Sequence, residues 1–154
     1  MYQRILVPVD GSTAATLGLQ EAIRLAHDQQ AQLRIVHIVD EAPLAQYPEA
    51  VGSTSALVDA FVADGRKTLD AAMQLARDQG IVPECALHQK LMGPLSDLIL
   101  KEAQEWRADL IVLGTHGNTG LKHLLLRSTA EDIARSSRLP VLLVHAPPEP
   151  PRKS

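Results

Sequence analysis

A chain of 154 residues accommodates one domain around a single core and is too short for two. Hydrophobic residues at 45% and charged residues at 21% are ordinary for a globular protein, while aromatics at 3% leave the core to Leu, Ile, Val and Ala. The formal net charge of -3 excludes the basic footprint that nucleic acid requires, and the single Cys85, with no Cys or His at zinc spacing, excludes an internal disulfide and argues against a structural metal.

The N-terminus MYQRILVPVD enters strand-like sequence at once, without the basic-then-apolar layout of a signal peptide. No apolar run approaches the roughly 20 residues of a membrane span. A cytoplasmic protein with neither membrane nor nucleic acid as partner is expected.

Arg4 to Val9 is a continuous apolar run ending at the turn pair Asp10-Gly11, which predicts a strand buried on both faces. Ser12 is a candidate N-cap, and Ala15, Leu19, Ala22, Ile23 and Ala26 recur at helical spacing as far as Gln29. Leu33 to Val39 predicts a second strand. Asp40 to Ser55, with Pro43, Pro48 and Gly52, is a connection long enough to act as a lid or to be a plain surface loop. Leu57, Phe61, Leu69, Met73 and Ala76 mark the apolar stripe of a second helix, closed by Gly80 and weakened by Gly65 within it.

Ile81 to Gln89 predicts a third strand, and Pro83 near its start assigns it to a sheet edge. Gly93-Pro94 precedes a helix whose stripe is Leu95, Leu98, Ile99, Ala103 and Trp106. Asp109 to Leu113 predicts a fourth strand, Ser128 to Ser137 a fourth helix and Pro140 to His145 a fifth strand. The domain is expected to span 1-146, followed by a Pro-rich flexible tail, 147-154.

Strands alternating with helices predict a three-layer α/β/α fold with a parallel sheet, and an edge position for the third strand gives the order 3-2-1-4-5. Ligands in such sheets bind beyond the carboxyl ends of the strands where the order reverses, here between strands one and four. That junction holds Asp10 on one side and, on the other, Gly114, Gly117 and Gly120 in DLIVLGTHGNTGLKHLLL. Glycines let backbone amides approach an anion, and a helix N-terminus adds free N-H groups and a favourable dipole. The spacing alone is weak. A Walker loop is excluded because Gly-Lys-Ser/Thr is absent, and a dinucleotide fingerprint because the first strand ends in DGSTAA.

The segments ILVPVDGS, ADLIVLGTHGNTGLKHLLL and LPVLLV together resemble the universal stress protein family across almost the whole chain. The resemblance implies a Rossmann-like domain of that strand order, a homodimer paired through the last strand (Val141, Leu142, Leu143, Val144), and in many members ATP, here with Mg or Mn. The residues themselves predict binding with at most slow hydrolysis, since a hydrolase needs a positioned base and only Asp10 or His116 could serve as one. By resemblance Pro8, Val9 and Asp10 shape the base and ribose site, Ile38 packs on the base, and Leu113, Gly114, His116, Gly117, Arg127, Ser128 and Thr129 surround the phosphates.

The family's ATP motif is Gly-x-x-Gly, nine residues, then Gly and Ser or Thr. Gly114, Gly117 and Ser128 match it, but Arg127 stands where the third glycine belongs. Arg127 could obstruct the phosphate site, hold phosphate oxygens bidentately, or face solvent and pair with Glu131. Ser128 to Glu131 also reads as a capping box, Asp10 as a plain turn residue and His116 as a loop-ordering residue. His37 and His145 read as ordinary strand residues.

Overall fold

The computed structural model describes residues 1–42, 54–116 and 124–147, with the backbone alone for 54, 55, 116 and 124–128. Within them nine elements alternate: β1 (Arg4–Pro8), α1 (Thr13–Gln29), β2 (Gln32–Asp40), α2 (Thr54–Asp78), β3 (Glu84–Lys90), α3 (Leu95–Trp106), β4 (Leu110–His116), α4 (Leu124–Ser136) and β5 (Val141–Ala146). The strands form one parallel sheet in the order β3-β2-β1-β4-β5, as predicted, with β3 at one edge and β5 at the other. Pro83 lies just before β3, where its missing N-H costs no ladder bond.

Alternation along the strands divides the core in two. Ile5, Val7, Leu33 and Ile35 face α1 and α2, meeting Leu19, Ile23 and Leu69; Leu6, Val36, Ile111 and Leu113 face α3 and α4, meeting Ile99, Trp106 and Ile133. Each such fully buried side chain contributes about 1.5–3 kcal/mol, so aliphatic packing on both faces replaces the missing aromatics.

Ser12 caps α1 as expected, its Oγ accepting the Ala15 N-H at 3.1 Å. Gly80 closes α2 at φ 85, with the Ile81 N-H on the Ala76 carbonyl at 3.0 Å and its own N-H on that of Arg77 at 3.0 Å. The same turn closes α1 at Gln30 (φ 53) and α3 at Arg107 (φ 59), where a β-carbon opposes the left-handed backbone.

Four expectations are corrected. β4 does not end at Leu113 but runs to His116, paired with β5 through Gly114↔Val144 and His116↔Ala146, so Gly114 is a strand residue and not the first of a loop. α4 begins at Leu124, because the helix-forming run Leu124–Arg127 extends it upstream. Ser128 is thus its fifth residue, and a capping box at Ser128 to Glu131 does not start this helix. Phe61, expected in the buried stripe of α2, is 37% exposed. The buried face of α3 includes Glu102, whose carboxylate accepts from Arg34 Nε at 2.6 Å and meets His88 Nε2 at 2.7 Å. The proposed lid and tail fall mainly in 43–53 and 148–154, outside the described residues.

Gly114 has ordinary strand geometry and its value is steric. A β-carbon there would overlap the Ala14 carbonyl, and one at Gly18 would stand 2.6 Å from the Gly114 nitrogen, so α1 and β4 touch backbone to backbone. Gly65 serves α2 similarly: a β-carbon would stand 2.7 Å from Val39 Cγ2 and 2.9 Å from His37 Cδ2.

Gly114→Ala is expected to cost more than about 3 kcal/mol in urea unfolding or to prevent folding, because neither backbone can yield without moving the helix. Arg107→Gly, by relieving the left-handed residue, is expected to stabilise by about 0.5–1 kcal/mol, raising the melting temperature by about 1–4 °C.

Candidate functional site

The carboxyl ends of β2, β1 and β4 lie side by side, and their registers place the residues beyond them. Pro8 pairs with Val36 and Leu6 with Ile111, and continuing those offsets sets Asp10 between Ile38 and Thr115. The Val9 N-H donates to the Val36 carbonyl at 2.8 Å, extending the β1–β2 ladder one residue past the strand. Asp10, the first exposed residue after β1, accepts the Ser12 N-H on Oδ1 at 2.9 Å. Its turn role is therefore real, and it fixes the carboxylate at the lip of the sheet where the strand order reverses.

Pro8 and Val9 are buried, Val9 in the core facing α1 and α2. Ile38 is half-buried against the core facing α3 and α4, and Leu113 is fully enclosed in that same core, so its side chain is engaged in packing. Gly114 is buried between α1 and β5. His116 ends β4, and Gly117 lies outside the described residues. Arg127 and Ser128 are the fourth and fifth residues of α4; their helical backbone demands nothing that an L-residue cannot supply, which removes backbone strain as a reason for glycine at position 127. Thr129 follows them and is buried. The fold therefore brings Asp10, Ile38 and the end of β4 together.

A cleft of about 240 Å³ opens at this end between β2 and α2, lined by Asp10, His37, Ile38, Asp40, Phe61 and Asp64. The His37 ring is held by its Nδ1, 2.7 Å from the Val9 carbonyl, and lies against Gly65. Asp40 is occupied by Lys90 Nζ at 3.2 Å and by the Ala42 N-H at 3.0 Å, which ties the ends of β2 and β3 together. His37, Phe61 and Asp64 also line this cleft, although the sequence did not single them out for a site. The available signal was that His37 and Val39 alternate toward α2 opposite Gly65, the one glycine within that helix.

The more voluminous groove, about 580 Å³, lies between the C-terminal ends of α3 and α4, at the opposite end of the strands, and is lined by Arg107, Arg138 and Leu139 among others. Open volume there is separate from the junction that the strand order creates, where the convergent polar groups lie. Among the described residues no group of three or more His, Cys, Asp or Glu is disposed to hold a metal, and no helix is long and apolar enough to cross a membrane.

Comparison with known proteins agrees with this architecture. The sequence profile of the universal stress protein family matches residues 1–145. A universal stress protein of Methanocaldococcus jannaschii is 31% identical over 148 residues, 96% of this chain and 84% of that one. The crystal structure of a universal stress protein family member from Burkholderia pseudomallei is 34% identical with a TM-score of 0.74, covering 94% of this chain and 97% of that one. A universal stress protein solved in complex with cAMP is 25% identical with a TM-score of 0.61, covering 95% of this chain and 99% of that one. Through a family match spanning nearly its whole length, joined to the predicted five-stranded order, the chain belongs to the universal stress protein family.

Proposed function

We propose that this chain is a cytoplasmic, homodimeric module of the stress response that binds ATP or another adenine nucleotide, with Mg or Mn accompanying the phosphates, and acts by occupancy and not by rapid catalysis. The observation that carries this reading is the relative of the same fold, matched over nearly the whole of both chains, that was solved with cAMP. The strand ends support it. A nucleotide laid across the junction would place its base near Ile38 beyond β2, its ribose at Asp10 beyond β1, and its phosphates beyond β4, toward Gly117, Arg127, Ser128 and Thr129. Nothing in the described site nominates a positioned base for fast phosphoryl transfer.

The main rival is a protein of the same fold and family that serves as a dimeric interaction surface and no longer holds ATP because of Arg127; weak ATP hydrolysis is a third possibility. With the backbone at position 127 helical, the rival depends on the arginine side chain filling the phosphate space. The favoured reading has the guanidinium pairing with phosphate oxygens.

The dimer reading rests on β5. Leu142 and Val144 pack on one face of the sheet and Val141 and Leu143 on the other, all remaining only half-buried at an edge. A second β5 added to that edge would pair its free backbone groups and cover these side chains.

Titration calorimetry with Mg-ATP is expected to show saturable binding below about 1 mM, and Arg127→Ala to weaken it about tenfold through loss of a charge-assisted pair. Absence of heat at millimolar ATP would sink the nucleotide reading, and binding created by Arg127→Gly would establish the rival. Sedimentation at micromolar protein is expected to give a dimer that Leu143→Lys shifts toward monomer, with circular dichroism confirming that the variant remains folded. A wild-type monomer at that concentration would refute pairing through β5.

A further inference from the structure

We propose that the groove between the C-terminal ends of α3 and α4 is a docking site for an acidic amphipathic segment of a partner protein. It lies at the amino end of the strands, away from the nucleotide junction, and stands independently of the function proposed above. Its volume is about 580 Å³. One wall, from α3 and the turn after it, supplies Leu100, Ala103, Gln104 and Arg107, while the turn between α4 and β5 supplies Arg138 and Leu139. Leu100 and Leu139 pack on the core that holds Ala103 and Ile133, yet both remain only half-buried. The groove therefore has an apolar floor that an occupant could cover.

Charge selects that occupant. Arg107 and Arg138 line the groove from opposite walls, no carboxylate lines it, and neither guanidinium has an acidic partner among the described residues. The acidic residues flanking Arg107 in the sequence are engaged elsewhere: Glu105 meets Lys101 at 3.9 Å, and Asp109 accepts the N-H groups of Gln3 and Arg4 at 2.8 and 3.0 Å. Arg135, exposed in the last turn of α4, adds positive charge at the same helix end. A chain of net charge -3 thus gathers cations around one apolar groove. Phosphate or nucleic acid would answer the charge and leave the leucines unmatched, whereas apolar side chains flanked by carboxylates answer both.

The backbone holds both arginines at this place. Arg107 occupies the left-handed C-cap of α3 at φ 59, a position that glycine suits better, so the turn itself gives no reason for an arginine. Arg138 follows Ser137, whose hydroxyl accepts the Leu139 N-H at 3.0 Å and donates to the Leu139 carbonyl at 2.9 Å, fixing the turn that carries the arginine. The negative ends of two helices converge here, which favours cations over the groove.

The test is a fluorescence-anisotropy titration of the full chain against three short labelled peptides. The first carries leucines on one helical face and glutamates on the other; the second replaces its glutamates by lysines, and the third its leucines by serines. The leucine-glutamate peptide is expected to bind saturably, at least about tenfold more tightly than either control. Arg107→Gly and Arg138→Ala are each expected to weaken it about tenfold. Because Arg107→Gly is expected to melt no lower than the wild type, its loss of binding would report a lost contact and not a lost fold. Absence of saturable binding by the leucine-glutamate peptide, equal binding of either control, or full affinity in both arginine variants would overturn the proposal. A shift of Arg138→Ala toward smaller species in sedimentation would also overturn it, by assigning the groove to a second copy of this chain.

Discussion

The contact between α1 and β4 sets the height of everything at the carboxyl end of the sheet. With no β-carbon at Gly114 or Gly18, the first turn of α1 lies on the strand itself, Ala14 against Gly114. The turn that delivers α1 to that position is the Asp10 to Ser12 turn, held by the carboxylate of Asp10 and followed by the Ser12 cap. The same close approach that packs the helix therefore fixes where Asp10 sits relative to the end of β4. Strand pairing alone would leave that relation looser, since β1 and β4 share only two paired positions before β1 ends.

On the other face the constraint is polar. Glu102 is 5% exposed and would be costly to bury alone, but Arg34 from β2 and His88 from β3 both reach it, while Trp106 donates to Glu84 and lies under the Arg4 guanidinium at 4.4 Å. These contacts fasten α3 across β1, β2 and the edge strand β3. Ile38, paired with His88, sits at the upper margin of that arrangement, so the floor beside the cleft is held from below by an ion cluster and from the side by Lys90 and Asp40.

Much of this was legible because it depends on local chemistry. Pro83 placed β3 at an edge, the alternation of apolar strands and helices gave the sheet order, and Ser12 announced the start of α1. What misled was chemistry with two uses. Gly114 has the same composition signal whether it opens a loop or admits a helix, and only the position of Ala14 decides between them. Ser128-Thr129-Ala130-Glu131 satisfies the capping pattern, yet the leucines before it are good helix formers and carry the helix further back. The charged pairs were illegible for another reason: Arg34 and Glu102 are 68 positions apart and Asp40 and Lys90 are 50 apart, so no window along the chain contains both partners.

The distribution of charge across the strand ends gives a nucleotide at this junction a preferred direction. The cleft beyond β2 carries the carboxylates of Asp10, Asp40 and Asp64, of which only Asp40 has a cationic partner among the described residues. A triphosphate turned toward it would add like charge to a site with little to neutralise it, at a cost of about 1 kcal/mol for each close pair even in high dielectric. The segment beyond β4 contains Lys122, His123 and Arg127 and no acidic residue between Gly114 and Arg127. The two ends thus oppose one reversed orientation and favour the other before any specific hydrogen bond forms. Under the nucleotide reading proposed above, Arg127 would restore with charge what the missing glycine would otherwise provide through backbone access, and the binding it supports would weaken with salt.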